Sequence, residues 1–414
     1  MLQRIKNFAT YHRKAITFSL LGAGLILASG LAALLVGTRN TSFSNQVEQP
    51  GEASQPGGTR GDLSHGKCQG DGKPKLGRSP MDPGDFSIII PYGLVVGGHV
   101  TPIDHQYFSP ADYKSALDSY PVYAMADAKL VEVQPRNFQS GPKKVEYRMV
   151  FAMSCKLYYY YDLVTSLTGR VKEAYEAKGR DINLDVKEGE QIGFIGAQTL
   201  DFAVWDMDVT LTGFVNPASY NNAEPWKIHT VDPLPYYTDE LKKFILSRYV
   251  RTAEPISGKI DYDIDGRLIG NWFVEGTNGY AGPSSQGGEE YWNGHLSLAP
   301  NHWDPTFFIV SLGEFGGREV QYAVRGNTPK PEDVSVATGL VKYELVGFSY
   351  LKPDGTSWDG MSLIKGPRLS PQNNSKGCFL VQMLEDRKIK AEGFPAKSCG
   401  QVSSFTSSAK IYER

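Results

Sequence analysis

Two short stretches in the second half of the chain concentrate aromatic rings, imidazoles, amides and a carboxylate. Tyr291–His295 reads Tyr-Trp-Asn-Gly-His, and Asn301–Pro305 reads Asn-His-Trp-Asp-Pro. Flat rings stack on sugars while amides and carboxylates bond hydroxyl groups, so the set is typical of a carbohydrate or other ligand surface. The candidate ligand-binding residues are Trp292, His295, His302, Trp303 and Asp304.

The same residues allow two other interpretations. His295, His302 and Asp304 carry metal-ligand side chains and form a candidate metal set. In the structural alternative, the tryptophans anchor a β core and the polar groups cap loops. We favour the structural alternative, because buried aromatic side chains are the usual anchors of β cores.

An acidic pattern precedes these stretches. Asp261–Gly266 reads Asp-x-Asp-x-Asp-Gly, like the first half of a calcium-binding loop. The twelfth position, where such a loop needs a bidentate Glu, is Trp272, which excludes an EF-hand. Asp-Gly between apolar runs instead predicts a hairpin that joins strands at Lys259–Asp263 and Leu268–Val274.

Four stretches of the first half occur in a recognisable order. Thr101–His105 reads Thr-Pro-Ile-Asp-His, Pro121–Val131 begins Pro-Val-Tyr-Ala, and Tyr160–Leu163 reads Tyr-Tyr-Asp-Leu. Val186–Gly196 contains Gly-Glu-Gln-Ile-Gly and is followed by Leu200–Val204, Leu-Asp-Phe-Ala-Val. In this order the stretches resemble the LytM/lysostaphin-type peptidases of the duplicated hybrid motif fold, over residues 95–206. The corresponding family motifs are His-x-Gly-Ile-Asp, Pro-Val-Tyr-Ala-x-x-Asp-Gly-x-Val, Tyr-x-His-Leu, Val-x-x-Gly-x-x-Ile-Gly-x-x-Gly and His-Leu-His-Phe-Glu-Val.

The resemblance implies a peptidase-like fold from which most zinc ligands are missing. In the family, a His and an Asp of the first motif and the second His of His-Leu-His hold zinc, and the other histidines serve proton transfer. Asp104 matches the family's Asp, but Asp162 and Asp201 stand where the family has His. The first His falls on Val100 or, with a one-residue slip, on His99. The resemblance therefore implies a degenerate domain that is not an enzyme and has no metal cofactor.

An active metallohydrolase with a rearranged site is the alternative. His99, Asp104, His105 and Asp201 would hold zinc or another divalent metal, and Asp162 would be the catalytic general base. Oxygen-rich ligands of this kind favour calcium or manganese over zinc. In the structural explanation, Asp104 and His105 are a hydrogen-bonded pair at a strand end, and Asp162 and Asp201 line the wet rim of a groove.

The composition limits the fold class and the partners. The chain has 414 residues, enough for two domains, and 43 basic against 45 acidic side chains give a net charge of −2, which does not support nucleic-acid binding. Abundant Gly, Pro and Tyr favour a mainly β protein with many turns. We expect an N-terminal transmembrane helix, a LytM-like β domain and a second, small β barrel or sandwich. In the second half, further strands are predicted at His295–Leu298, Phe307–Leu312, Val320–Val324, Gly339–Val346, Cys378–Glu385 and Lys388–Phe394.

The N-terminus carries a membrane signal. A basic tail at residues 1–14 precedes an uncharged apolar run at 15–37, which is long enough for one bilayer span. The basic flank predicts a single-pass protein with a cytoplasmic N-terminus and an extracytoplasmic bulk. A cleaved signal peptide is the alternative. Residues 38–85, rich in Gly, Pro and polar residues, are predicted to be a disordered linker.

The remaining chain divides into three predicted parts. These are a degenerate peptidase-like domain at 86–232, a connecting helix at 233–255 and a C-terminal β domain at 256–414. Within the connector, Asp239–Val250 has apolar residues at helical spacing, and Thr238 is its expected N-cap.

The four cysteines fit an oxidising compartment. Cys378 and Cys399 flank one strand-like stretch and are predicted to form a disulfide. Cys155 either pairs with Cys68 or remains a buried thiol.

Three functions remain open. The leading hypothesis is a membrane-anchored, non-catalytic binding or scaffolding module at the cell envelope, with peptidoglycan, a glycan or an envelope protein as its partner. The second is the rearranged metallohydrolase, acting as a cell-wall or protein endopeptidase. The third is a carbohydrate- or ligand-binding protein that acts through the C-terminal β domain.

Overall fold

The computed structural model describes residues 63–137, 145–284 and 290–414. In these ranges two α-helices accompany nineteen β-strands, so the protein is mainly β, as predicted. The helices are α1 (Gly169–Lys178) and α2 (Asp239–Arg248). None of the helices in these ranges combines the length and apolar character that a bilayer span requires. The predicted tail at 1–14 and anchor at 15–37 lie outside the described residues.

An antiparallel sheet, here called the large sheet, dominates the first half. Its strands lie in the order β1-β2-β10-β6-β5-β4-β8, and β11 also pairs with β10. The strands are β1 (Phe86–Ile90), β2 (Gln106–Pro110), β4 (Ala128–Asn137), β5 (Val145–Ala152), β6 (Leu157–Val164), β8 (Leu184–Val186), β10 (Leu200–Asp206) and β11 (Thr230–Val231). A small sheet packs beside it and consists of β3 (Tyr120–Tyr123), β9 (Gln191–Ile195) and β7 (Ser166–Leu167).

The two faces of the large sheet bury different side chains, because alternate residues of a strand point to opposite sides. On one face, Tyr159, Tyr161 and Phe202 pack with the small sheet in an apolar core. The other face, here called the site face, carries Tyr160 and Trp205, and it also packs against residues from the second half of the chain.

A closed barrel of eight antiparallel strands forms the second half, which resolves the predicted choice between barrel and sandwich. Its strands are β12 (Gly270–Val274), β13 (His295–Pro300), β14 (Phe308–Leu312), β15 (Val320–Val324), β16 (Leu340–Leu351), β17 (Arg368–Glu385), β18 (Lys388–Pro395) and β19 (Lys410–Glu413). Apolar side chains, among them Trp272, Leu298, Tyr343 and Phe379, fill its interior.

The hairpin predicted around Asp261–Gly266 is only partly formed. The turn is present and β12 follows it, but Lys259–Asp263 is not a strand. The physical reason is that the carboxylates of this stretch accept hydrogen bonds from backbone amides of other segments. Asp261 accepts from the Gly213 amide at 2.8 Å, and Asp263 accepts from the Asn271 amide at 2.8 Å.

The predicted linker at 38–85 ends earlier than expected. Residues 38–62 lie outside the described residues, but Leu76 and Met81 are buried in the core of the large sheet. Leu76 also exchanges backbone hydrogen bonds with Tyr236 and Thr238. These few apolar anchors and backbone contacts order a polar stretch whose composition alone indicates disorder.

Two disulfides hold distant parts of the chain. Cys378–Cys399 is present as predicted and joins β17 to the turn after β18. Cys68–Cys155 is also formed, which resolves the alternative left open by the sequence. Cys68–Cys155 ties the stretch before β1 to the turn between β5 and β6.

Helix α2 lies where the apolar spacing predicted a helix. The Thr238 side chain accepts a hydrogen bond from the Leu241 amide at 3.4 Å, as expected for its N-cap. Leu241 and Ile245 are buried, and Phe244 contacts the Phe86 ring of β1. The helix therefore packs on the large sheet. Helix α1 was not anticipated, and Val171 is its one buried residue.

Candidate functional site

His105, just before β2, lies at the centre of a cluster of buried polar groups on the site face. Its Nδ1 is 3.4 Å from Asp104 Oδ1, and its Nε2 is 3.2 Å from Asp201 Oδ2. The Tyr107 hydroxyl lies 3.0 Å from the same Nε2. The His99 ring is a neighbour, with its centroid 5.9 Å from that of His105. The structure thus brings together four of the residues singled out as metal-ligand candidates.

Asp162 joins this cluster through strand pairing. It lies directly opposite Asp201, because β6 and β10 are neighbouring antiparallel strands. The Arg136 guanidinium donates to Asp162 Oδ2, and the Leu163 amide donates to Asp162 Oδ1 at 2.8 Å. Leu163 has a φ of 68°, a left-handed conformation that costs a leucine on the order of 1–3 kcal/mol. Gln198 holds it by donating to the Leu163 carbonyl at 2.7 Å.

A buried lysine completes the cluster. Lys227 is 2% exposed, and its Nζ lies 3.2 Å from Asp104 Oδ1 and 3.1 Å from Glu224 Oε2. The ammonium group also lies 4.8 Å from the centroid of the Tyr280 ring. The Lys227 ammonium group therefore lies beside Asp104, the one acidic residue that matches a zinc ligand of the family.

The pKa values follow from burial and pairing. Burial favours the neutral form of Asp104, but Lys227 and His105 outweigh it and hold its pKa well below the usual range. Burial raises the pKa of Asp201 to about 7, and the Asp162 carboxylate adds to the rise while His105 opposes it. Burial lowers the pKa of His105, but Asp201 and Asp104 outweigh burial and raise it above its ordinary value. Each of these two groups therefore holds its proton to a higher pH than it would in water.

This arrangement does not fit a metal ion. Asp104 is paired with Lys227, Asp162 with Arg136, and Asp201 with His105. A divalent cation would have to displace these cations from carboxylates that are already out of water. In the three described ranges, no three His, Cys, Asp or Glu side chains are arranged to hold a metal.

Aromatic side chains cover the rest of the site face. Tyr160 stacks on Trp205 with centroids 4.7 Å apart, and Trp226 lies against Trp205 at 5.5 Å. The Arg148 guanidinium lies over both Tyr160, at 4.8 Å, and Trp226, at 4.7 Å. A Cβ on Gly98 would lie 2.9 Å from the Trp292 ring, so this glycine lets the ring pack directly on the backbone. Residues of the 208–230 segment and of the second half thus fill the space above the sheet.

The candidate ligand surface of the second half is not assembled as one patch. His295 is buried at the start of β13, where its Nε2 lies 3.0 Å from the Tyr280 carbonyl oxygen. His302 and Trp303 follow the other end of β13 and are 3% and 9% exposed. Burial lowers the pKa of both histidines to about 3, so they are neutral in the folded protein.

Packing explains these residues better than sugar stacking or metal binding does. The ring of Trp303 lies between Tyr350 and Trp358, at centroid distances of 4.7 Å and 4.6 Å. Asp304 caps loops, because its carboxylate accepts from the Leu369 amide at 2.9 Å and the Thr306 amide at 3.2 Å. Trp292 is half-buried against Gly98. The Trp303 ring is therefore already packed inside the protein, and the Trp292 ring is partly covered by Gly98.

The sequence analysis missed the cationic half of the site. Lys227, Arg136 and Arg148 belong to no motif. Lys227 reaches Asp104 from 123 positions away, and Arg136 reaches Asp162 from 26 positions away, only after folding. A buried lysine is unusual unless it is paired, yet nothing in the local sequence Trp226–His229 distinguishes Lys227 from an exposed one. No sequence signal would have found it.

Comparisons with known proteins include a weak likeness to a solved structure. No protein-family model matches the chain, and no curated protein matches it. Among solved structures, the NMR solution structure of lysostaphin is similar with a TM-score of 0.21 and 11% sequence identity, over 75% of this chain and 80% of that one. At that score and identity, the likeness carries no argument about the activity of this chain.

Proposed function

We propose that this protein is a membrane-anchored, extracytoplasmic binding or scaffolding protein whose first domain has a peptidase-like fold without peptidase activity. The observation that carries the proposal is the buried ion pair between Lys227 and Asp104. Asp104 stands at the position that corresponds to a zinc ligand in the LytM/lysostaphin-type sequences.

The chemistry of the cluster supports a non-catalytic role. Metal-dependent hydrolysis needs ligands that are free to bind the ion and an open position for water. Here the carboxylates of Asp104, Asp162 and Asp201 are matched by Lys227, Arg136 and His105. A metal ion would have to displace these partners, which already neutralise the carboxylates.

The covering of the site face supports the same conclusion. A peptide substrate needs a groove in which a scissile bond reaches the reactive groups. Trp226 and Tyr280 pack over the site face where such a groove would lie. Binding of a partner would therefore use outer surfaces of the two halves rather than this buried cluster.

The location at the envelope rests on the sequence and the disulfides. The basic tail and the apolar run at 15–37 favour a cytoplasmic N-terminus and a single span. The disulfides Cys68–Cys155 and Cys378–Cys399 fit an oxidising compartment beyond that span. Peptidoglycan, a glycan or an envelope protein is then the accessible class of partner.

Hydrolysis assays test the proposal directly. The full-length protein is incubated with purified peptidoglycan and with cross-bridge peptides, in the presence of zinc, manganese or calcium, and new amino groups are counted. We expect no release above a protein-free blank, with or without a chelator. Cleavage that a chelator abolishes and that D104A/D201A lacks would instead establish the rearranged metallohydrolase.

A further inference from the structure

A second feature lies away from the buried cluster, where the 208–230 segment meets one end of the barrel. It is a cleft of about 410 Å³, which falls within the usual range for ligand sites of about 300–1,000 Å³. Short 3-10 turns at Pro217–Tyr220 and Gly279–Ala281 form two of its walls, and Phe273 and Val274 of β12 also line it. Junctions of this kind are common positions for ligand sites.

One wall of the cleft is fixed in advance. The Asn278 amide group donates to the Gly282 carbonyl at 3.1 Å, and the Thr277 hydroxyl donates to the Val274 carbonyl at 2.6 Å. The Gly276 amide donates to a carboxylate oxygen of Glu413 at 3.2 Å. Gly279 allows the walls to approach closely, because a Cβ there would lie 2.5 Å from the Ser219 carbonyl oxygen. A preformed wall of this kind reduces the ordering cost of binding.

The opposite wall carries polar side chains that are available to bond a ligand. Asn216 and Ser219 are half-buried and Asn222 is exposed. Within the three described ranges, these side chains make no hydrogen bond to other protein groups. Two amides and a hydroxyl together offer both donors and acceptors at one surface.

The polar groups of the cleft suit an uncharged ligand better than an anionic one. The Glu413 carboxylate lines the cleft and disfavours an anion, whereas the Arg414 side chain is 1% exposed and its guanidinium stacks on Trp272. Arg414 is itself held in place, since it donates to the Ile269 carbonyl at 2.6 Å and lies 3.7 Å from Asp263. Amides, a hydroxyl and one carboxylate that line one cleft match the hydroxyl groups of a sugar.

We propose that this cleft binds a neutral carbohydrate of about one or two rings, with Asn216 and Asn222 bonding its hydroxyls. The site differs from the candidate sugar surface around Trp292 and Trp303, in which Trp303 is buried and Trp292 is half-buried. It is also independent of the buried cluster, so either proposal can fail without the other.

Isothermal titration calorimetry of the full-length protein tests this site, in a detergent without a sugar headgroup. The probes are cellobiose, maltose, lactose and di-N-acetylchitobiose, with glucuronic acid, spermidine and a blocked trialanine peptide as comparators. We expect saturable binding of at least one neutral disaccharide, weakened about tenfold or more in N216A/N222A, which corresponds to the loss of one or two hydrogen bonds.

Asn221→Ala is the matched control, because Asn221 lies in the same segment but lines a separate small cavity with Leu63 and Trp226. It should bind the disaccharide like the wild type. The exposed single variant N222A, which should not affect folding, provides the comparison should the double variant be unstable. Failure of all four disaccharides to bind, equal binding by N216A/N222A or N222A and the wild type, or preference for a charged or peptide probe overturns the proposal.

Discussion

The barrel interior and the site face of the large sheet bury different kinds of side chain. The barrel is filled with apolar side chains such as Trp272 and Phe379, whereas the site face of the large sheet buries ionic pairs such as Lys227–Asp104. Apolar packing needs no single specific partner, because each contact contributes a small and similar amount to the stability. A buried charge is costly unless its partner is present. The comparison predicts that single substitutions in the barrel and on the site face destabilise the protein for different reasons. Different second variants should restore the stability.

The largest effect is expected in the barrel core. Trp272 is fully buried, its Nε1 donates to the Leu268 carbonyl at 2.8 Å, and Arg414 stacks on its ring at 4.0 Å. Trp272→Ala should lower the free energy of unfolding by about 3–5 kcal/mol, because it leaves a cavity. Chemical denaturation measures the loss. Trp272→Phe should recover part of it at any pH, and a loss below about 1 kcal/mol for the alanine variant would show that apolar filling is not what stabilises the barrel.

A comparable loss of stability is expected at the buried ion pair between Lys227 and Asp104, but a different second variant should restore it. Lys227→Met should cost about 3–5 kcal/mol at neutral pH, since it leaves Asp104 buried without its main cation. The double variant D104N/K227M removes both charges and should regain most of the stability. The same denaturation measurement checks both variants. If the double variant is no more stable than K227M, the charges are not what couples these residues.

The pH dependence of the free energy of unfolding gives a further test of the site face. The folded pKa of Asp201 is raised to about 7 from an unfolded value of about 3.9. Its contribution is therefore fully present below about pH 4 and is lost as the pH rises towards 7, by at most about 1.4 kcal/mol per unit of pKa shift. His105, whose pKa is also raised, adds to the loss at higher pH. D201N should flatten the stability profile between about pH 4 and 7.

The matched control for that profile is Thr199→Ala, which removes the hydroxyl that donates to Asp201 at 3.4 Å but leaves the carboxylate in place. Its profile should keep the slope of the wild type. A D201N profile with an unchanged slope would assign the pH dependence to other groups, such as Asp263, whose pKa burial raises to about 6.

The smallest effect is expected at an ion pair on the surface. Asp265 and Arg387 make two hydrogen bonds of 2.8 Å, but both side chains are about half exposed. D265N should therefore cost less than about 1 kcal/mol and should matter even less at high salt. Thermal unfolding at two salt concentrations measures it. A loss as large as that of K227M would mean that burial does not decide the strength of these pairs.

Regular patterns made the barrel strands and helix α2 predictable from the sequence. The strand expected at Cys378–Glu385 lies within β17, and Asp239–Val250 became a helix ending at Arg248. The disulfide Cys378–Cys399 was likewise visible from local spacing. Each of these depends on residues that are close in the chain or repeat along it, which is the information a single sequence carries.

The rest depends on contacts between distant residues. The stretch at 63–85 looks disordered by composition, but Leu76 and the Cys68–Cys155 disulfide fix it to the large sheet. The acidic half of the candidate site was found because Asp104, Asp162 and Asp201 lie in motifs. Lys227, which neutralises Asp104, lies in none, and only its position in the fold gives it that role.

The metal content of the full-length protein tests the central claim most directly. The protein is produced in medium supplemented with zinc, manganese and calcium, purified without chelators and analysed by elemental mass spectrometry. The ion pairs on the site face predict far less than one metal ion per chain, with the same background in D104A/D201A. One equivalent of a single metal in the wild type that is lost in D104A/D201A would contradict the account.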